Sequence, residues 1–146
     1  MNALSPVQIL LVEDSPSDVI LTREALHDGK LANDLFVVGD GEAALSFLHR
    51  QGEYAGSPRP DLMLLDLNLP GKDGMEVLAE VKADEDLRKI PVIVLTTSAQ
   101  EDDVIRAYDR YVNAYVKKPM DITRFMEVVC SVEDFYVSIV RLPAKP

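Results

Sequence analysis

A short apolar run that stops at an acid is the feature that most constrains this fold. Residues 62–65 are all apolar, Asp66 follows them directly, and a segment rich in turn-forming residues occupies 67–74. An apolar run of this length is typical of a strand buried on both faces of a parallel sheet. Ligands of open parallel sheets bind beyond the carboxyl ends of the strands. Asp66 therefore stands where a functional site is expected.

Short apolar runs alternate with segments of helical periodicity along the chain. The runs predict strands at residues 7–12, 35–38, 62–65, 89–96 and 113–116. Each is followed by apolar residues at the three- and four-residue spacing of a helix. Such alternation specifies a parallel sheet covered by helices on both faces. We therefore predict an α/β fold with a five-stranded parallel sheet of order 2-1-3-4-5, the doubly wound, flavodoxin-like (βα)5 arrangement.

The first predicted helix begins directly after the acidic end of the first strand. Asp14 or Ser15 is placed to cap it, and Pro16 suits the first helical position because a helix start does not use that N–H. The residues expected on its apolar side are Leu21, Ala25 and Leu26.

Length and composition limit the class of protein. A chain of 146 residues is expected to form one domain, with a core at about 7–135 and an apolar C-terminal extension at 136–146. No apolar run approaches the ~20 residues of a membrane helix, and residues 1–8 lack the pattern of a signal peptide. The single Cys130 excludes an intramolecular disulfide, as is usual in a reducing compartment. We expect a cytoplasmic protein.

The net charge limits the classes of molecule that this protein can bind. The formal net charge is -10, and a field of that sign repels nucleic acid and anionic membrane surfaces. It attracts a divalent cation or a basic patch on another protein. We therefore expect neither nucleic acid nor membrane among the partners.

Polar side chains stand at the ends of four predicted strands, and the predicted topology brings them to one edge of the sheet. They are Glu13, Asp14, Asp66, Thr96 and Lys118. Three carboxylates at one place repel one another, and a hard divalent cation relieves that repulsion. Mg²⁺ fits because it prefers oxygen ligands and keeps several waters, so carboxylates and a loop carbonyl suffice. Mn²⁺ is a possible substitute.

The same residues suit phosphoryl transfer. Asp66 would be the nucleophile and form an aspartyl-phosphate, while the metal neutralises the transferring phosphoryl oxygens. The Thr96 hydroxyl and the Lys118 ammonium are expected to bind the remaining phosphoryl oxygens. Thr97 is a further candidate phosphate ligand; alternatively, it and Ser98 cap the next helix.

These motifs resemble the response-regulator receiver domains of two-component signalling. The resemblance covers about residues 7–135, and its matching elements are Glu13-Asp14, Asp66 to Pro70, Asp73-Gly74, Thr96 and Lys118-Pro119. It implies that a histidine kinase donates a phosphoryl group from phosphohistidine to Asp66.

The resemblance also assigns roles around that acceptor. It implies a Mg²⁺ site made by Glu13, Asp14, Asp66 and the backbone carbonyl of Asn68. It further implies a switch pair, Thr96 and Tyr115, and a cis peptide bond before Pro119.

Longer stretches narrow the resemblance to a subgroup. Segments 15–18, 66–74, 90–98, 133–136 and 142–143 are similar to single-domain regulators that partner cyanobacterial and other bacterial phytochrome kinases. This implies a light-sensing kinase upstream. The tail after the fifth helix is too short for a DNA-binding module, so the output is a protein contact, or the domain is a phosphate sink.

The C-terminal part is more apolar than one helix packed on a sheet requires. Besides its expected core positions it carries Met126, Cys130, Phe135, Tyr136, Val137, Ile139, Val140 and Leu142. We expect a homodimer through helix 4, strand 5 and helix 5, the face that phosphorylation alters. The alternative is a tail folded back on its own domain.

Three other functions compete with a receiver domain. An Asp-nucleophile, Mg²⁺-dependent small-molecule phosphatase usually carries a second acid two residues after its nucleophile, where this chain has Asn68. A flavin-binding module needs a phosphate loop after the first strand, where Glu13-Asp14 stands. An interaction module without phosphorylation would not need the full set of site residues. We therefore expect a phosphoacceptor rather than an enzyme.

Overall fold

The structure is a computed structural model, and it describes residues 6–28, 32–96, 114–117 and 123. Within these residues the strands are β1 (Val7–Val12), β2 (Asn33–Val38), β3 (Leu62–Asp66), β4 (Val92–Thr96) and β5 (Ala114–Lys117). The α-helices are α1 (Pro16–Asp28), α2 (Gly41–His49) and α3 (Gly74–Ala83), and single 3-10 turns lie at Gly52–Tyr54 and Leu87–Lys89. The predicted fourth and fifth helices fall outside the described residues.

All five strands are parallel and belong to one sheet of order β2-β1-β3-β4-β5. This confirms the predicted α/β, flavodoxin-like topology. The middle strand of the sheet is β3, and the middle of a parallel sheet is covered by helices on both faces. Every residue of β3 is buried.

Three strands begin at different residues from those predicted, and one of them, β5, starts at Ala114 rather than residue 113. The strand β2 starts at Asn33 rather than residue 35, because polar residues 33 and 34 pair with the start of β1. The strand β4 starts at Val92 rather than residue 89. Residues 87–89 form a 3-10 turn, and Pro91 has no N–H to donate to the ladder, although its carbonyl accepts from Met63 N at 3.0 Å.

The apolar side of α1 was predicted wrongly at one position. Leu21 is 44% exposed, and the buried residues of α1 are Thr22, Ala25 and Leu26. Those three share one face at i, i+3 and i+4, and the Thr22 hydroxyl donates to the Asp18 carbonyl at 2.9 Å. That bond lets a polar residue be buried. The Ser15 hydroxyl accepts from Asp18 N at 3.3 Å, so Ser15 rather than Asp14 caps the helix.

The core on the α2 and α3 face of the sheet packs strand residues against both helices. Leu10, Met63 and Leu65 are fully buried there, beneath Phe47 of α2 and Val77 of α3. This packing places the start of α3 directly beyond the end of β3. Among the described residues, no helix has both the length and the apolar character needed to cross a membrane.

Candidate functional site

The sheet register brings the ends of β1 and β3 together. Val12 pairs with Leu65, so Glu13 follows β1 at the level where Asp66 ends β3. The backbone N–H of Glu13 still donates to Val38 of β2, at 2.9 Å. The acidic residue after β1 is therefore held by the sheet itself rather than by a free loop.

Glu13, Asp14 and Asp66 form an acidic cluster at this edge. One carboxylate oxygen from each lies within 4.8 Å of the others. Glu13 and Asp66 are each 2% exposed, whereas Asp14 is exposed. The cluster thus has a buried floor and one open side, which is the shape that a ligand arriving from solvent requires. The sequence-based prediction that these three acids converge is confirmed.

Backbone N–H groups orient the two buried carboxylates. Ser15 N donates to Glu13 Oε2 at 3.2 Å, and Asn68 N donates to Asp66 Oδ1 at 3.2 Å. Both donors come from the loops that leave the strands. Each loop is therefore tied by a hydrogen bond to the carboxylate at the end of the preceding strand.

The β3–α3 loop, residues 67–73, lies beside Asp66 and is pinned at both ends. The side chains of Leu67 and Leu69 are buried, and Gly74 N donates to the Leu67 carbonyl at 3.1 Å. Gly71 has a φ of 69°, a left-handed conformation that glycine adopts without strain. A Cβ on Gly74 would lie 2.5 Å from the Asp66 carbonyl oxygen. Glycine at residue 74 is what allows α3 to begin so close to Asp66.

A capping box fixes the start of α3, and we did not predict it from the sequence. The Asp73 carboxylate accepts from Glu76 N at 2.9 Å, and the Glu76 carboxylate accepts from Asp73 N at 3.0 Å. The Asp-x-x-Glu spacing was the available signal, since it matches the reciprocal pattern of a capping box. On the same helix, Glu80 accepts a hydrogen bond from Lys72 Nζ, which raises the pKa of the Lys72 ammonium.

The remaining predicted site residues are only partly within the described chain. Thr96 ends β4, one residue beyond Leu95, the partner of Asp66, and it pairs with Lys117 of β5. Tyr115 lies on β5 and pairs with Val94. Thr97, Lys118 and Pro119 lie outside the described residues. The backbone therefore brings β4 and β5 to the acidic edge, as the predicted topology required.

The donor set of the cluster fits a hard divalent cation. It consists of three carboxylates in one small volume, and Mg²⁺ takes oxygen ligands of this kind. The open side at Asp14 leaves room for the waters that Mg²⁺ retains. Within the part of the chain that the structure describes, Glu13, Asp14 and Asp66 are the three acids that lie close enough together to share one ion.

Comparison with known proteins decides the family. The chain matches the response regulator receiver domain over residues 9–130. It belongs to the response regulator receiver domain family. The family consists of signalling proteins rather than dedicated enzymes, and a histidine kinase is the kind of partner that such a domain has.

Phytochrome response regulators are among the relatives of this receiver domain. Response regulator Rcp1 of Synechocystis sp. is 51% identical over 139 residues, which is 95% of each chain. A crystal structure of the phosphorylated cyanobacterial phytochrome response regulator RcpA is 46% identical, with a TM-score of 0.74 over 92% of this chain and 96% of that one. The Mn²⁺-bound form of Rcp1 has a TM-score of 0.73 over 90% of this chain and 94% of that one.

Mg²⁺ is the metal cofactor of this receiver domain. Receiver domains bind it, Rcp1 was crystallised with Mn²⁺, and the acidic cluster supplies oxygen donors suited to either ion. The prediction of the cofactor from the sequence is confirmed.

Proposed function

We propose that this protein is a single-domain response regulator whose Asp66 accepts a phosphoryl group from the phosphohistidine of a histidine kinase. The observation that carries the proposal is the acidic cluster at the ends of β1 and β3. It sets one buried carboxylate, Asp66, beside two other acids within 4.8 Å. A buried aspartate beside two other carboxylates is suited to a phosphoryl transfer that needs a divalent cation.

The site residues take distinct roles in this proposal. Glu13, Asp14, Asp66 and the backbone carbonyl of Asn68 hold Mg²⁺. When bound, Mg²⁺ neutralises charge on the phosphoryl oxygens and so favours attack by an anionic nucleophile.

The transfer itself uses one oxygen of Asp66. That oxygen attacks phosphorus in line, the new O–P bond forms, and the P–N bond to the kinase histidine breaks with its electron pair leaving on the imidazole. The attacking carboxylate has no proton to lose. The hydrogen bond from Asn68 N to Asp66 Oδ1 orients the group while the other oxygen attacks.

Residues at and just after the ends of β4 and β5 are proposed to bind the new phosphoryl group. Thr96, Thr97 and Lys118 bind the phosphoryl oxygens, and Thr96 with Tyr115 forms the switch pair. The position of Thr96 one residue beyond the partner of Asp66 supports this assignment. Pro119 follows a cis peptide bond that helps to set Lys118. A local charge change of this kind biases a two-state element.

The upstream kinase is proposed to be of the phytochrome type. Support comes from the similarity to RcpA, a cyanobacterial phytochrome response regulator, and to Rcp1. The output is proposed to be a conformational change of the helix 4, strand 5 and helix 5 face, which also forms a homodimer. Residues 1–146 act as one receiver domain with an apolar extension at 136–146, and the single Cys130 suits a cytoplasmic location.

The test is phosphorylation of wild type and Asp66→Asn by acetyl phosphate, with and without Mg²⁺, read on Phos-tag gels and by intact mass. We expect a mass gain of one phosphoryl group for the wild type with Mg²⁺, and none for Asp66→Asn. Asp61→Asn, at the opposite end of β3, is the matched control and should be phosphorylated normally. Phosphorylation that persists in Asp66→Asn would refute the acceptor assignment.

A second arm tests the partner. Phosphorylated phytochrome-type and chemoreceptor-type histidine kinases are offered in parallel, and the transfer rates are compared. Equal rates would contradict a phytochrome kinase while leaving Asp66 as the acceptor.

A further inference from the structure

We propose that Gly41, on a different element from the acidic cluster, is a positioning residue for the β3–α3 loop and thereby for Mg²⁺ affinity. This inference rests on the proposed function, in which the loop presents the Asn68 carbonyl to the metal. Gly41 is the first residue of α2 and belongs to none of the motifs that identify the site.

The backbone conformation does not explain a glycine at this position. The glycines with positive φ among the described residues are Gly52 and Gly71, and Gly41 is not one of them. The cap of α2 is supplied by the preceding residue, because Asp40 Oδ1 accepts from Ala43 N at 2.7 Å. A side chain at residue 41 would therefore be compatible with both the helix and its cap.

The space around residue 41 does explain why a glycine is needed there. A Cβ on Gly41 would lie 2.4 Å from the carbonyl oxygen of Lys72 and 2.7 Å from a methyl carbon of Val77. The first of these contacts is backbone and cannot rotate away. Gly41 is buried, so the Lys72 peptide rests directly on the first turn of α2.

Lys72 lies near the C-terminal end of the loop that carries Asn68. The Asn68–Asp66 hydrogen bond fixes the N-terminal end of the loop, and the Gly74–Leu67 hydrogen bond joins its two ends. A Cβ at residue 41 would push Lys72 away from α2, and the displacement would pass through the turn at Gly71 towards Asn68. The structure thus connects α2 to the metal site through one backbone contact.

The experiment compares Gly41→Ala with Gly39→Ala in the full chain. Gly39 lies two residues earlier, and a Cβ there meets nothing within 4 Å. Mg²⁺ dissociation constants are measured by calorimetry, and backbone amide shifts are recorded in the metal-free state. We expect Gly41→Ala to raise the Mg²⁺ dissociation constant roughly 10-fold or more, as loss of an outer-shell support does. Gly39→Ala should leave the dissociation constant unchanged, because its added Cβ meets no neighbouring atom.

The metal-free amide shifts give the readout that separates positioning from simple destabilisation. In Gly41→Ala the changes should concentrate at residues 66–73. Leu26→Ala, which empties a core position on α1, serves as a variant that is destabilised elsewhere. An equal loss of Mg²⁺ affinity in Leu26→Ala would overturn the proposal, and so would an unchanged Mg²⁺ affinity in a folded Gly41→Ala.

A second variant covers the case in which Gly41→Ala does not fold. The double variant Gly41→Ala/Val77→Ala removes the methyl overlap and keeps the overlap with the Lys72 carbonyl. It should bind Mg²⁺ more weakly than Val77→Ala alone, and equal affinity would overturn the proposal. If the wild type bound no Mg²⁺ or Asp66 took no phosphoryl group, the proposed function itself would fail, which is a different result.

Discussion

At the scale of single residues, the chemistry of this protein depends on placing like charges together. Glu13 and Asp66 are buried, and Asp14 shares their volume. Burying carboxylates costs free energy unless partners compensate. Here backbone N–H groups from two loops supply part of that compensation, and a cation supplies more. The site is therefore less stable without metal than an ordinary strand end would be.

Neutralising Asp66 should stabilise the metal-free protein. We expect Asp66→Asn to raise the free energy of unfolding by on the order of 1 kcal/mol in EDTA, because one of three repelling charges is removed. In Mg²⁺ the order should reverse. At about 100 times its dissociation constant, a bound ion adds ~2.7 kcal/mol to the wild type. Asp66→Asn offers a neutral ligand and should gain much less.

Urea unfolding followed by circular dichroism, with EDTA or with Mg²⁺, checks this. Asp61→Asn is the control, since it lies outside the acidic cluster and should respond to Mg²⁺ as the wild type does. A wild type that is more stable than Asp66→Asn in EDTA would contradict repulsion within the cluster.

At the scale of elements, the start of α3 links stability to the site. The helix begins immediately after the loop that follows Asp66, and its first turn is fixed by the Asp73–Glu76 capping box. Gly74 approaches the Asp66 backbone so closely that the end of β3 and the start of α3 are in direct contact. Fraying of the first turn of α3 would therefore release the loop that borders Asp66.

Removing the cap should cost stability and loosen that loop. We expect Asp73→Ala to lower the free energy of unfolding by about 1 kcal/mol, within a range of roughly 0.5–2 kcal/mol. The Glu76 N–H loses its acceptor in this variant. Asp73→Ser keeps a side-chain oxygen and should lose much less.

Urea titration measures the stability of both variants, and hydrogen exchange at residues 74–77 measures the fraying. If Asp73→Ala and Asp73→Ser unfold at the same urea concentration, the cap does not contribute as the geometry indicates.

At the scale of the whole molecule, the sheet order places the strand that ends at Asp66 midway between the two edge strands. The strand β3 is central, β2 is one edge, and β4 lies between β3 and β5. A charge placed on Asp66 is thus two strands away from β5. The proposed output face lies on that side, so the signal has a short path through β4.

The proposed homodimer is tested by mass in solution. We expect light scattering of the full chain to give twice the monomer mass at micromolar concentration. Val137→Asp should lower the dimer fraction, because a charge in an apolar interface must be desolvated. Ser138→Asp, at a neighbouring polar position, is the control. A strict monomer with and without phosphorylation would contradict the dimer.

The sequence by itself determined the fold class, the strand order and the acids of the site. Five apolar runs alternating with helical segments indicate the fold, and polar residues at the ends of four of them mark the site, since the carboxyl ends of parallel strands meet at one edge. The runs also located Asp66 correctly at the end of β3. Local patterns were less reliable where pairing overrides them, as at the start of β2, where polar residues join the strand.

Only the tertiary structure decided which side chains are buried and which glycines are indispensable. Leu21, which was predicted to be on the apolar side of α1, is exposed and Thr22 is buried, because the phase of a helix against a sheet is set by packing. The need for glycine at 41 and 74 arises from backbone atoms more than thirty and about eight residues away along the chain, respectively. Such contacts leave no local pattern, because their cause is a neighbour in space. That physical reason is why the acidic cluster and its loop were predictable and the packing that supports the loop was not.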